Sequence, residues 1–184
     1  MRYPDGHKEQ VRAQIVRTAA RALKEHGLEG ISIPALMKKA GLTHGGFYVH
    51  FKDRDDLVAA AVQHAAEETG ERVFGPEVKD LGATLQRYLS MAHVDHPAEG
   101  CVVAALGPDG ARQGKKVRRS FARAAEGLIR LVGQKLDPRQ KAEAPPTEQA
   151  LALTAQMVGA VILARLVDDP ALAKRILAAV HPQS

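Results

Sequence analysis

Residues 40–57, AGLTHGGFYVHFKDRDDL, leave room for one helix of about two turns, and that helix begins on the adjacent glycines Gly45 and Gly46. Each glycine costs roughly 1 kcal/mol against alanine inside a helix. Such a helix cannot stand alone, so Phe47 and Phe51 must hold it against its neighbours. The same stretch carries His44, Tyr48 and His50 in a chain that is only 4% aromatic. Side-chain-poor backbone beside polar and aromatic groups suits a segment that approaches a partner closely.

The flanks show how the segment is held. Val11, Ile15, Ala19, Ala22 and Leu23 recur at three- and four-residue steps and predict a helix over 7–26, ended by Gly27. Ser32 caps a second helix over 33–40, with Pro34 tolerated in its first turn and Gly41 stopping it. Thr43 is read as the cap of the third helix, 44–51. Asp53 and its acidic neighbours open a fourth, 54–73.

Beyond Gly75-Pro76, apolar spacing predicts a helix over 78–93 and a loop leading to Cys101. Residues 101–113 fit a helix better than a strand. A long helix over 115–136, a linker at 142–146, an apolar helix over 147–167 and a last helix to about 180 complete an all-α chain.

The formal charge is +5, and its placement is uneven. Residues 1–54 hold 10 Lys/Arg and 5 Asp/Glu, whereas residues 55–184 hold 16 of each. A basic end joined to a neutral body suits a polyanion partner, although +5 is also an ordinary solubility charge. One cysteine excludes an intramolecular disulfide and fits a cytoplasmic protein. No apolar signal region or membrane-length apolar run is evident, so no membrane association is expected. No nucleotide-binding glycine loop, zinc-protease histidine pair or nucleophile elbow occurs, and no enzyme is expected.

A short helix, a tight turn at Gly41-Leu42 and a second short helix form a helix-turn-helix pattern, whose second helix enters the DNA major groove by its N-terminal end. Ile31-Ser32-Ile33, Ala40-Gly41-Leu42, Phe47-Tyr48, His50-Phe51-Lys52 and the acidic start before Leu57 together resemble the DNA-binding domain of the tetracycline-repressor (TetR) family of bacterial transcriptional regulators, over about residues 9–60.

The resemblance implies a three-helix DNA-binding domain over 1–54 and a larger helical effector-binding and dimerisation domain over 55–184, linked by the helix at 54–73. It implies phosphate contacts at Ser32, Tyr48, His50, Lys52 and Arg54, and base-edge contacts at Thr43, His44, Gly45 and Val49. The chemistry agrees: lysine and arginine pair with phosphate, and Ser, Tyr and His donate to it. His44 can bond a purine edge, while Thr43 or Val49 can meet a thymine methyl. His50 also suits plain packing, and Lys38 and Lys39 read as solvated surface. Gly46 and Val49 stand where many members carry larger or hydroxylated side chains, which shifts readout toward DNA shape.

The partners so implied are a double-stranded, near-palindromic operator, a second copy of the chain and a small-molecule effector of unknown identity. Leu151, Met157, Val158, Val161, Ile162 and Leu166 make the 147–167 helix apolar on more than one side. That fits a central helix buried in one chain, or the four-helix dimer interface which the resemblance favours. Tyr88, Met91, Cys101, Val102, Val103, Phe121 and Leu128 are candidates for an effector pocket, and each also suits ordinary core. Cys101 follows Gly100 as in a subgroup of the family, some of whose members sense electrophiles or oxidants. A thiol at a helix start can be activated, and a lone cysteine is also a good small core residue. His93, Asp95 and His96 lack the spacing of a metal site and read as a solvated loop. No cofactor is expected. The expected function is a repressor, with activation compatible. The alternative is an all-helical carrier or enzyme without specific DNA binding, which would lack steep salt-dependent operator affinity.

Overall fold

The computed structural model describes residues 6–180 except 140 and 142; the expected domain limits at 1 and 184, and the first linker residue, lie outside them. Among the described residues there are helices and no strands. They are α1 (His7–His26), α2 (Ile33–Lys39), α3 (Phe47–His50), α4 (Arg54–Phe74), α5 (Leu81–Tyr88), α6 (Met91–Asp95), α7 (Val102–Ala111), α8 (Lys115–Leu136), α9 (Glu148–Leu166) and α10 (Pro170–Ala178). Short 3₁₀ turns at His44–Gly46 and Pro97–Glu99 join them.

The boundaries follow local chemistry. Ser32 Oγ accepts from the Ala35 N–H at 3.3 Å to start α2. Gly41 ends it at φ +72°, with Gly41 N–H donating to Lys38 O and Leu42 N–H to Met37 O, the paired bonds of a left-handed helix stop. Gln14 Nε2 adds a bond from α1 to Ala40 O at 2.8 Å. Asp53 Oδ1 accepts from the Asp56 N–H at 2.7 Å and starts α4.

Two expectations change and a third holds. The helix expected over 44–51 begins as a 3₁₀ turn on the two glycines, and Thr43 gives it no side-chain cap. The single helix expected over 78–93 is two. Asp80 caps α5, and the chain turns at Leu89. Ser90 Oγ then accepts from the His93 N–H at 3.2 Å to start α6. Apolar spacing runs on through this break, so periodicity alone could not place it. The ambiguous 101–113 stretch is helical despite Pro108. Proline leaves the Ala104 carbonyl without its helical donor, and Arg165 Nη1 supplies one at 3.3 Å.

Two apolar cores hold the chain. The first joins α1, α2, α3 and the start of α4 to Val102 and Leu106 of α7 and to Val117, Phe121 and Ala124 of α8. The sequence division at 54/55 therefore does not divide the packing. Phe47 and Phe51, both buried, stack at 5.6 Å. Burying two phenylalanines contributes about 3–6 kcal/mol, against about 2 kcal/mol lost to Gly45 and Gly46. The second core gathers Val73, Phe74, Tyr88, Leu128 and Val132 with the inner faces of α9 and α10.

Met157 and Val161 are fully buried in this second core, so they cannot form a surface between copies. Of the expected interface residues, Leu151 and Leu166 are exposed and Val158 and Ile162 half-buried. The helix serves two environments, and the apolar residues divide between them. With a mean hydropathy of 1.5, α9 is also long and apolar enough to cross a membrane, contrary to the sequence expectation. Its inner face packs on α6, α7, α8 and α10.

Candidate DNA-binding surface and effector cavity

The exposed end of the helix-turn-helix is built outward from the buried phenylalanines. Phe47 points into the core, which turns its neighbours Tyr48 and Val49 out, at 64% and 60% exposure. Tyr48 is held edge-on by Phe47, with ring centres 5.1 Å apart, and by His44 at 6.0 Å. Thr43, His44 and Gly45 are exposed beside it. Two large exposed side chains on a four-residue helix are costly unless something covers them. The arrangement presents a phenol, an imidazole, a small apolar group and bare backbone along one edge.

The expected phosphate-binding residues divide into separate roles. Ser32 and Lys52 are exposed, although Ser32 also caps α2. The Lys52 backbone N–H donates to Asp56 Oδ2 at 3.1 Å, which orients the residue at the head of α4. His50 is half-buried, and its Nδ1 is buried without a hydrogen-bond partner. Partial burial lowers its pKa, and the charges of Lys8 and Arg12 and the neighbouring His7 lower it further. Arg12 itself lies over the Phe51 ring at 5.0 Å. Arg54 is turned inward: Nη1 donates to Ile31 O at 3.1 Å and Nη2 to Leu28 O. These bonds brace the loop between α1 and α2, a structural task that its neighbour Lys52 does not share.

A cavity of about 310 Å³ lies between α4, α7 and α8, near the lower end of ordinary ligand pockets. Cys101, Val102, Val103 and Leu128 line it as expected, but Tyr88, Met91 and Phe121 do not. Tyr88 and Met91 belong to the second core. Phe121 packs on Gly110, where an added Cβ would lie 2.4 Å from its ring. Sequence reading missed the walls from α4 and α8, including Gln63, Glu67, Arg123 and Arg130. The available signal was small residues on the facing sides, Ala66 and Gly70 against Gly127.

The segment before Cys101 is solvated at Asp95, His96 and Glu99 but not at His93. His93 is buried, its Nε2 accepting the Cys101 N–H at 2.9 Å and its Nδ1 lying 2.7 Å from Tyr88 O. These partners require a neutral ring with the proton on Nδ1. Burial pushes its pKa down to about 4, with Arg165, Arg72 and Lys24 adding to the effect and the Tyr88 carbonyl opposing it. Arg165 donates to His93 O at 2.6 Å, and buried Lys24 of α1 donates to Gly100 O at 3.0 Å. Lys24 also pairs with Glu68 at 3.6 Å. One polar cluster thus ties α1, α4 and α9 to the residue that borders the cavity. Asp95 and His96 lie outside that cluster and are exposed.

A basic, outward-facing helix-turn-helix over a helical body defines a class of DNA-binding proteins. Residues 15–61 match the sequence profile described as bacterial regulatory proteins, tetR family. It is 34% identical over 73 residues to the transcriptional regulator PksA of Bacillus subtilis, covering 40% of this chain and 36% of that one. It is 32% identical over 77 residues to the transcriptional regulator AcrR of Shigella flexneri, covering 42% and 36% respectively. The chain thus matches about a third of the length of these curated relatives. The fold extends further: the reduced form of E. coli NemR superposes with a TM-score of 0.74 at 20% identity, covering 93% of this chain and 95% of that one.

Proposed function

We propose that this chain is a one-component transcriptional regulator acting as a cytoplasmic repressor. Two copies bind a near-palindromic operator, each placing the start of α3 in a major groove, and a small molecule in the α4–α7–α8 cavity releases them. The outward display of Tyr48, Val49, Thr43 and His44 above a buried Phe47 carries this reading. Thr43, His44, Gly45 and Val49 face base edges, while Ser32, Tyr48, His50 and Lys52 hold phosphates. Arg54 acts through the loop it braces.

The outer face of α9 is the surface between copies. Leu163 and Leu166 are 54% and 73% exposed, with Leu151 and Leu172 also open. A twofold pair of α9–α10 hairpins would cover them and set two recognition helices on two half-sites. An electrophilic effector reaching the cavity would meet the Cys101 thiol on its wall. The resulting strain would pass to α1 through Gly100 and Lys24.

Fluorescence anisotropy on the chain's own upstream DNA tests the reading, beside scrambled DNA and a Tyr48→Ala/Lys52→Ala variant. Preference for the native sequence that falls at least about tenfold in the variant is expected. If a genome-wide selection of bound fragments also finds no preferred sequence, the carrier or enzyme reading replaces it.

A further inference from the structure

The effector cavity does not end at its apolar wall. Gln63 and Arg123 line both the cavity and a second hollow of about 600 Å³, so the two form one groove along α4 and α8. The second hollow is strongly basic: Arg12, Lys115, Lys116, Arg119 and Arg123 line it, against the single carboxylate of Asp56. Lys116, Arg119 and Arg123 recur at three- and four-residue steps, which aligns them on one face of α8. Ala59 and Ala60 of α4 stand opposite and leave the space open.

The charges there are unevenly satisfied. Lys116 holds Asp56 and lies 3.3 Å from Asp53 Oδ2. The bond between Lys116 and Asp56 lowers the Asp56 pKa and raises that of Lys116. Among the described residues, Arg119 and Arg123 make neither a hydrogen bond nor an ion pair. At the other end, Phe74, Val102, Val103 and Leu131 give the groove an apolar floor. A side chain added at Gly127 would meet nothing within 4 Å, so this wall has open room.

We propose that the groove takes an amphiphile, with an apolar chain in the cavity and a phosphate-bearing head on Arg119 and Arg123. This rests on the effector reading of the cavity and specifies the ligand's chemistry. Two guanidinium groups bind a phosphate through paired, charge-assisted hydrogen bonds, whereas a lone carboxylate leaves part of the basic row unused. A head seated there also competes with Asp53 and Asp56 for Lys116. It thereby loosens the tie between α8 and the start of α4, next to Lys52.

Calorimetric titration of the full chain with octanoyl-coenzyme A, octyl phosphate, octanoate and coenzyme A tests this. Octyl phosphate or octanoyl-coenzyme A should bind at least about tenfold more tightly than octanoate or coenzyme A. Whichever of the two is tighter separates a simple phosphate ester from a carrier-bound acyl chain. Arg119→Ala/Arg123→Ala should remove that advantage, weakening octyl phosphate far more than octanoate. Gly127→Leu should weaken every chain-bearing probe, and neither variant should change operator affinity without ligand. Octanoate binding as tightly as octyl phosphate overturns the proposal. So does a double variant with weaker operator binding and a shallower salt dependence, which would make the basic row a DNA contact. If no probe binds a protein that holds its operator normally, the amphiphile is wrong and the regulator reading stands. If the phosphate probes bind as expected but no DNA sequence is preferred, the ligand proposal stands and the regulator reading fails.

Discussion

Replacing His93 with glutamine isolates one acid-sensitive group from the rest of the chain. The folded protein holds this ring neutral, with a pKa of about 4. The unfolded chain takes up its proton near pH 6.5. Between those values the unfolded state binds more protons, so stability falls as pH falls and is fully retained above the unfolded value. The difference amounts to about 2 kcal/mol between pH 7 and 5, and about 3 kcal/mol by pH 4. Glutamine can still accept from the Cys101 N–H and donate to Tyr88 O, but it carries no titrating proton. It loses the edge contact with the Tyr88 ring, at 4.7 Å, worth about 1 kcal/mol at any pH. His93→Gln should therefore be slightly less stable than the parent at pH 7 and more stable at pH 5. Urea unfolding followed by circular dichroism at pH 7, 6 and 5, at one protein concentration, reads the crossing. Parallel stability profiles over that range would refute the neutral, doubly bonded imidazole.

Arg54→Ala should cost about 1–3 kcal/mol, because two carbonyls lose a charged donor; operator affinity should fall with an unchanged salt slope, whereas Lys52→Ala should reduce that slope by about 1. Gly100→Ala should destabilise by more than about 2 kcal/mol in thermal melts, since its Cβ would lie 2.6 Å from the His93 ring. Leu163→Asp/Leu166→Asp should shift sedimentation toward the monomer with helicity retained, placing the dimer contact on the outer face of α9. Cys101→Ser should abolish release of DNA by an electrophile while preserving operator binding, and unaltered release would exclude the thiol from sensing.

The helix-turn-helix was legible because its signals are local. Ser32, Gly41 and Asp53 act on their own backbones within a few residues, so each boundary follows from the chemistry of one side chain. Phe47 and Phe51 could be read as core because a glycine-rich helix has no other support. The rest depended on groups distant in sequence. Nothing near Arg54 says that it turns onto Leu28 and Ile31 rather than outward. His-x-Asp-His looks like a loop until Tyr88 and Cys101 supply the two partners of His93. In α9, an apolar circumference shows that two environments exist without assigning them. Met157 and Val161 went inward, and Leu163 and Leu166 stayed out.

The unbroken first core limits how the chain can be cut and recombined. Because α1 packs against α4 and α7 in a core that continues into Val117 and Phe121 of α8, residues 1–54 transplanted onto another body would arrive with an uncovered apolar underside. A chimaera made by exchanging that segment must also carry matching faces of α4 and α7. Tyr48, by contrast, rests on Phe47, and both it and Val49 have their outer surfaces free. New DNA sequences are therefore more readily reached by regrafting the exposed edge of α3 than by swapping the head.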